Sequence, residues 1–132
     1  MNTQEIVEHI KRFAESDPNV DVLWLYGSRA KGTEQPNSDF DLAVAFHSFP
    51  NDGWELRLQP ELLAQSWSDQ LGLADGIISV VDINHIPIQL AMGIVLEGKA
   101  ITVKDTLRLI REEHRITSMW ELDHLYHRRY YG

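Results

Sequence analysis

The feature that most constrains this chain is a pair of apolar segments joined by a short polar connection. The first, "VDVLWLY", ends at Gly27, and the second, "DFDLAVAF", follows the polar stretch "TEQPNS". In an extended conformation, alternate side chains of the second segment point to opposite sides. Phe40 and every second residue after it then form one apolar face, while Asp39 and Asp41 share the other face with two alanines. The pattern predicts two strands, the second of which begins with two like charges.

The connection between these strands has the composition of an anion-binding turn. Gly27 allows the backbone to approach a ligand closely, and "SRAK" is expected to form one helical turn that ends at Gly32. The first amides of such a turn have no partner within the helix and attract phosphate oxygens. Ser28 adds a hydroxyl donor. Ten residues separate Ser28 from Asp39, which is enough for the chain to turn back beside the carboxylates.

The two aspartates, called here the aspartate pair, need a counter-charge. Asp39 and Asp41 on one strand face lie about 6.6 Å apart, and at an effective dielectric constant near 20 their repulsion is about 2.5 kcal/mol. A divalent cation turns this repulsion into attraction, and carboxylate oxygens suit Mg²⁺, which takes substrate phosphates as further ligands. The turn and the aspartate pair together therefore predict a site for a metal-bound nucleoside triphosphate.

The rest of the chain predicts a mixed α/β (α+β) fold in a single domain spanning residues 1–132. Helical spacing marks the N-terminal segment and "LQPELLAQSWSDQLG", and "GIISVVDI" is expected to be a largely buried third strand that ends near Asp82. The segment "IPIQLAMGIVLEG" is predicted to be helical up to Gly98. One long or broken helix should begin near Asp105 and form a C-terminal extension over residues 104–131.

Composition excludes several functional classes. The chain of 132 residues has 20 acidic and 12 basic residues and a formal net charge of -8, which disfavours binding to nucleic-acid backbones and anionic membranes. No apolar run approaches the roughly 18 residues that a membrane span needs. The N-terminus lacks the pattern of a signal peptide, so a cytoplasmic location is expected. The absence of cysteine excludes thiolate catalysis and cysteine-based zinc sites.

At this point "YGSRAKG" followed by "SDFDL" resembles the signature of polymerase beta type nucleotidyltransferases, which is a hydrophobic residue, Gly-Ser, a spacer, and then Asp-hydrophobic-Asp-hydrophobic. The small size, the extension after Gly-Ser and the "SD" dipeptide are similar to the minimal nucleotidyltransferase (MNT) proteins. These are encoded as antitoxins beside HEPN-domain toxin ribonucleases. Lys31 stands where that family usually has arginine, which keeps the charge. The resemblance implies a mixed sheet with flanking helices.

The resemblance also implies an ATP-dependent transfer of AMP to a tyrosine of the cognate HEPN toxin, which silences its ribonuclease. Four residues would contact the nucleotide, and three carboxylates would hold two Mg²⁺ ions and carry catalysis. The nucleotide set is Gly27, Ser28, Arg29 and Ser38, and the metal and catalytic set is Asp39, Asp41 and Asp82. Asp82, at the end of the later strand, is the candidate for the third ligand and for the general base.

Alternative interpretations remain for individual residues. Asp82 could cap the turn before "NHIP", and Arg29 and Lys31 could be solvated cations instead of phosphate or partner contacts. His124 and His127 have a spacing that can place two imidazoles on one helical face, although a solvated face is favoured because no third zinc ligand follows at motif spacing.

Two alternatives also remain for the function. One is an antitoxin that only masks the toxin. The other is a small-molecule nucleotidyltransferase similar to aminoglycoside-modifying enzymes, which usually add a helical domain that this length does not accommodate. In the C-terminal segment, apolar side chains lie on more than one helical face, which predicts a protein interface; these are Met119, Trp120, Leu122, Leu125, Tyr126 and Tyr130.

Overall fold

The computed structural model describes residues 1–131, with side chains through residue 129. Tyr130, one of the predicted interface residues, therefore lies outside the described side chains. Five helices and four strands follow one another within this range. They are α1 (Thr3–Ser16), β1 (Val20–Tyr26), α2 (Ser28–Lys31), β2 (Phe40–Phe46), α3 (Gly53–Leu71), β3 (Ile78–Asp82), α4 (Ile88–Glu97), β4 (Lys99–Val103) and α5 (Thr106–Tyr131).

The strands form one mixed sheet in the order β3-β2-β1-β4. Strand β1 is antiparallel to both of its neighbours, β2 and β4, whereas β2 and β3 are parallel. The pairing of β1 with β2 places Tyr26 opposite Asp41, and the pairing of β2 with β3 places Asp41 opposite Ser79. These three side chains therefore form one row across β1, β2 and β3, near the same end of the three strands.

Helices cover both faces of the sheet. The alternate residues of β2 that begin with Phe40 pack with Ile6 and Ile10 of α1 and with Trp67 of α3 in one buried cluster. The alanines of β2 pack on the other side with Trp24, with α4 and with Ile116 of α5. The small side chains on this second face let α4 and α5 approach the sheet closely. Asp41 shares that face at the start of β2 and is half-buried.

The predicted mixed α/β fold is confirmed, and most predicted elements appear at their expected places. Helix α3 begins at Gly53, earlier than its apolar spacing predicts, because the side chain of Asp52 accepts a hydrogen bond from the amide of Trp54 and caps the first turn. Strand β4 was not predicted. It is a short edge strand in which only Thr102 is buried, so its sequence lacks the pattern of a core strand.

Candidate active site

The turn after β1 has the conformation that its glycine predicts. Gly27 has φ 72° and ψ -159°, a region that only glycine occupies readily. Its carbonyl accepts hydrogen bonds from the amides of Ala30 and Lys31, which fixes the one-turn helix α2, and Gly32 ends this helix at φ 73°. The amides of Ser28 and Arg29 come first in α2 and have no acceptor within the helix.

The structure brings this turn into contact with the aspartate pair. A Cβ atom added to Gly27 would overlap Oδ2 of Asp41. The chain therefore turns back between Ser28 and Asp39, as the sequence predicts, and Asp41 lies half-buried against the backbone of Gly27 while Asp39 is exposed just before β2. The contact leaves no room for any residue larger than glycine at position 27.

The negative charge of the aspartate pair is not balanced within the described part of the chain. No lysine, arginine or histidine among the described side chains forms an ion pair with either aspartate. Burial and the neighbouring charge of Asp39 raise the pKa of Asp41 above its ordinary value of 3.8. Burial and the charge of Asp41 likewise raise the pKa of Tyr26 above 10.0. A cation at this point would relieve the charge repulsion that adds to the effect of burial in both shifts.

Arg29 and Ser38 hold the loop that precedes the aspartate pair. Arg29 donates from Nη1 to Oγ1 of Thr3 at 2.6 Å and from Nη2 to the carbonyl of Ser38 at 2.8 Å, and its guanidinium lies 4.4 Å from the ring centroid of Phe40. The hydroxyl of Ser38 accepts a hydrogen bond from the amide of Gln35 at 2.8 Å. Both side chains are engaged within the protein, so their visible role is to position Asp39; contact with a nucleotide stays a prediction.

Lys31, the other cation of α2, forms an ion pair with α4. Its ammonium lies 2.6 Å from the carboxylate of Glu97 in α4, and both side chains are more than half exposed. This surface ion pair joins the turn to α4, and a contact of Lys31 with phosphate or with a partner stays a prediction.

Asp82 does not join the aspartate pair, and the prediction that it supplies the third carboxylate requires correction. Asp82 pairs with Val44, whereas Asp41 pairs with Ser79. The two pairs are three residues apart along the strands, which corresponds to about 10 Å. Because three is an odd number of residues, Asp82 also points to the opposite face from Asp41.

The carboxylate of Asp82 is buried and has local partners. Its Oδ1 accepts from the amide of Asn84 at 2.9 Å, and its Oδ2 lies 2.9 Å from Nδ1 of His85. These contacts make Asp82 the cap of the turn after β3, the alternative that the sequence left open.

The donors present fit one nucleotide-bound Mg²⁺ ion. Such an ion is commonly held by one or two carboxylates together with substrate phosphates, which matches Asp39 and Asp41. Among the described residues, no group of three or more histidine, aspartate or glutamate side chains could hold a metal ion. A second ion that shares three carboxylates, as expected from the resemblance, therefore does not fit this site.

Sequence reasoning missed Ser79, whose position depends on the register between two parallel strands. Ser79 lies opposite Asp41 and lines a cavity of about 490 Å³ together with Asp39. Its polar side chain inside the apolar run "IISVV" was the available signal. The run alone could not show which residue of β3 faces the aspartate pair.

Two further features predicted from composition and spacing concern other parts of the chain. His124 stacks on Trp120 with ring centroids 5.4 Å apart, and His127 lies 3.7 Å from a carboxylate oxygen of Asp123. Among the described residues no third histidine, aspartate or glutamate completes a metal site with them. Over residues 1–131, no helix is both long enough and apolar enough to span a bilayer.

By sequence, this chain matches a known protein family and a curated relative. A profile of the family described as "Polymerase beta, Nucleotidyltransferase" matches residues 8–107. The protein adenylyltransferase MntA of Shewanella oneidensis is 31% identical over 94 residues, which are 70% of this chain and 60% of that protein. The match thus spans less than two thirds of that relative's length.

Solved structures share the fold at lower sequence identity. A chain of a toxin-antitoxin complex with AMP-PNP has a TM-score of 0.71 at 21% identity, covering 98% of this chain and 94% of the other. A chain of the complex between the tri-AMPylated HEPN toxin of Shewanella oneidensis and its MNT antitoxin has a TM-score of 0.64 at 18% identity, covering 96% and 90%. At these identities the likeness concerns the fold, and it extends over nearly the whole chain.

Proposed function

Because this chain belongs to the polymerase beta nucleotidyltransferase family, we propose that it is an antitoxin that transfers AMP from ATP to a tyrosine hydroxyl of a HEPN toxin ribonuclease. The observation that carries the proposal is the contact between the glycine of the Gly-Ser turn and the carboxylate of Asp41. This contact joins a phosphate-binding turn to a metal-binding carboxylate, which are the two parts that a metal-bound triphosphate requires. The curated relative of the same family, which is named a protein adenylyltransferase, supports the choice of reaction.

Each part of the site has a task in this reaction. The first amides of α2 and the Ser28 hydroxyl bind phosphate oxygens. Asp39 and Asp41 would hold Mg²⁺, which supplies positive charge against the triphosphate when it is bound. Arg29 positions these groups by tying the loop before Asp39 to α1. The tyrosine oxygen bonds to the α-phosphorus, the bond from that phosphorus to its bridging oxygen breaks, pyrophosphate leaves, and the tyrosine proton is released.

A second candidate function is an antitoxin that acts only by binding the toxin. The observation that favours it is that no third carboxylate among the described residues joins the aspartate pair, since Asp82 lies on the opposite face of the sheet. In that case the same site would bind a nucleotide without transferring it efficiently.

The experiment that tests the proposal uses the protein encoded by the neighbouring reading frame, which the proposal expects to be a HEPN ribonuclease. The two proteins are incubated with ATP and Mg²⁺, and the intact masses of both are measured together with the ribonuclease activity. We expect AMP-sized increments on the partner that map to a tyrosine and disappear with Asp41→Asn. If the ribonuclease is blocked while its mass stays unchanged, masking replaces transfer as the function.

A further inference from the structure

We propose that Ser79 occupies the position from which a third carboxylate would face the aspartate pair, so that this chain binds its divalent cation only together with a nucleotide. The inference rests on the proposed function, because it concerns the same site. The residue at position 79 thereby sets the order in which the metal and the nucleotide bind.

The register of the sheet defines the position of Ser79. Strands β2 and β3 are parallel, and Ser79 is the residue of β3 opposite Asp41. Paired residues of neighbouring strands point to the same face and lie about 4.8 Å apart. Ser79 also lines the same cavity as Asp39. It is therefore the one residue of β3 that neighbours Asp41 directly and shares a cavity with Asp39.

The chemistry at position 79 limits the affinity of the free site for metal. A serine hydroxyl is neutral, whereas the affinity of oxygen-ligand sites for divalent cations rises with the number of charged ligands. Two carboxylates leave most of the coordination shell of Mg²⁺ to water and phosphate oxygens. Without the triphosphate, the aspartate pair therefore holds the cation weakly, and the metal arrives as its complex with the nucleotide.

No other described carboxylate fills the gap. Asp82 faces the other side of the sheet, and its oxygens bond to Asn84 and His85. Glu61 and Asp75 line the cavity beside Ser79. Even with these two, the described residues contain no group of three acidic or histidine side chains that could hold a metal. A third carboxylate beside Asp41 would therefore have to be at position 79, where this chain has serine.

The test is a gain of metal binding in Ser79→Asp, with Ser79→Asn as the control of similar size and no charge. Mn²⁺, a paramagnetic substitute for Mg²⁺, is titrated into each protein without nucleotide and followed by electron paramagnetic resonance. We expect Ser79→Asp to bind Mn²⁺ at least about tenfold more tightly than wild type, and Ser79→Asn to match wild type. The double variant Ser79→Asp with Asp41→Asn should lose the gain. With α,β-methylene-ATP present, wild type should bind Mn²⁺ readily.

Two results would overturn the inference. One is tight Mn²⁺ binding by wild type without nucleotide, a measurement that does not depend on any variant folding. The other is a Ser79→Asp protein with a native circular dichroism spectrum that binds no better than Ser79→Asn. Neither readout involves the toxin, so failure of AMP transfer to the partner would reject the proposed function and leave the metal result to be judged separately.

Discussion

Asp41 lies where the requirements of binding oppose those of stability. Its carboxylate is half-buried against the backbone of Gly27 and close to the like charge of Asp39, and both burial and that charge raise its pKa. A raised pKa means that the folded state binds the proton more tightly than the unfolded state does. Charged Asp41 therefore destabilises the fold at neutral pH, and the effect disappears as the pH falls toward 3.8.

Asp41→Asn is expected to abolish AMP transfer while leaving the metal-free protein as stable as wild type or more stable at pH 7. The gain should shrink as the pH is lowered, because wild type then becomes protonated at the same position. Thermal melts from pH 7 to pH 4, with and without Mg²⁺, measure both effects. A metal-free variant that melts well below wild type at pH 7 would show that the aspartate is structural.

Gly27→Ala should disrupt the site through both its backbone and its added carbon. Alanine is strained at φ 72°, and its Cβ would overlap Oδ2 of Asp41. Gly32→Ala is the control for a positive φ alone, since Gly32 has φ 73° in the ordinary left-handed region with ψ 20°, and nothing lies within 4 Å of an added Cβ. We expect the control to lose about 1 to 2 kcal/mol of unfolding free energy from backbone strain, and Gly27→Ala to lose more and to stop binding ATP. Chemical denaturation and nucleotide titration measure the two losses, and equal effects would contradict the contact.

A cluster of ion pairs and hydrogen bonds connects the first half of α5 to the sheet. The guanidinium of Arg108 donates to Glu112 at 2.9 Å, to Asp21 of β1 at 3.2 Å and to the carbonyl of Phe46 at 2.9 Å. It also donates to Asn84 at 2.8 Å. Both Arg108 and Glu112 are buried, so every donor and acceptor that they contribute needs a partner. The cluster therefore fixes where α5 begins to cross the sheet.

Glu112→Gln is expected to lower the unfolding free energy by about 1 to 3 kcal/mol at pH 7, because it weakens charge-assisted hydrogen bonds in a buried cluster. Burial raises the pKa of Glu112, but hydrogen bonds from Asn84, Arg115 and Arg108 and the charge of Arg115 outweigh it and lower the pKa below 4.5. The stabilisation is therefore complete above pH 4.5 and is lost as the pH falls through the lowered pKa.

Melts of Glu112→Gln and wild type should accordingly converge as the solution becomes more acidic. The exposed Glu113, one residue along the same helix, provides the control, and Glu113→Gln should leave the melting temperature nearly unchanged at pH 7. A difference between Glu112→Gln and wild type that stayed constant down to pH 3 would contradict the role of the charge.

Local patterns in the sequence predicted the elements better than they predicted the sites that the elements assemble. The alternation in "DFDLAVAF" gave the bounds and faces of β2, and the two glycines around "SRAK" gave α2, because these signals depend on neighbouring residues. The choice between Ser79 and Asp82 depends on the register of two parallel strands separated by a 19-residue helix. The partners of Arg108 are likewise distant in the chain, so no local pattern could reveal them.

Helix α5 extends beyond the part of the protein surface that it covers. Its 26 residues span about 39 Å, and Ile116 is the last of its described side chains in the buried core. Beyond that point large apolar side chains are exposed, among them Leu122 at 67% and Leu125 at 56%. Under the proposed function, we expect the toxin to cover these exposed side chains, because another molecule must present the acceptor tyrosine to the aspartate pair.

Replacing both Leu122 and Leu125 by arginine should weaken binding to the HEPN toxin of the proposed function by at least about tenfold, since two charges would be buried in an apolar contact. The fold should be unaffected, because both side chains lie beyond the core contacts of α5. Leu62→Arg on α3 is the control, as Leu62 is similarly exposed at 60% but lies on another helix. Isothermal titration with the partner gives the affinities, and thermal melts check the fold. If the α3 variant weakened binding as much as the α5 variant, or if neither changed it, the toxin would dock elsewhere, and the exposed end of α5 would need another explanation.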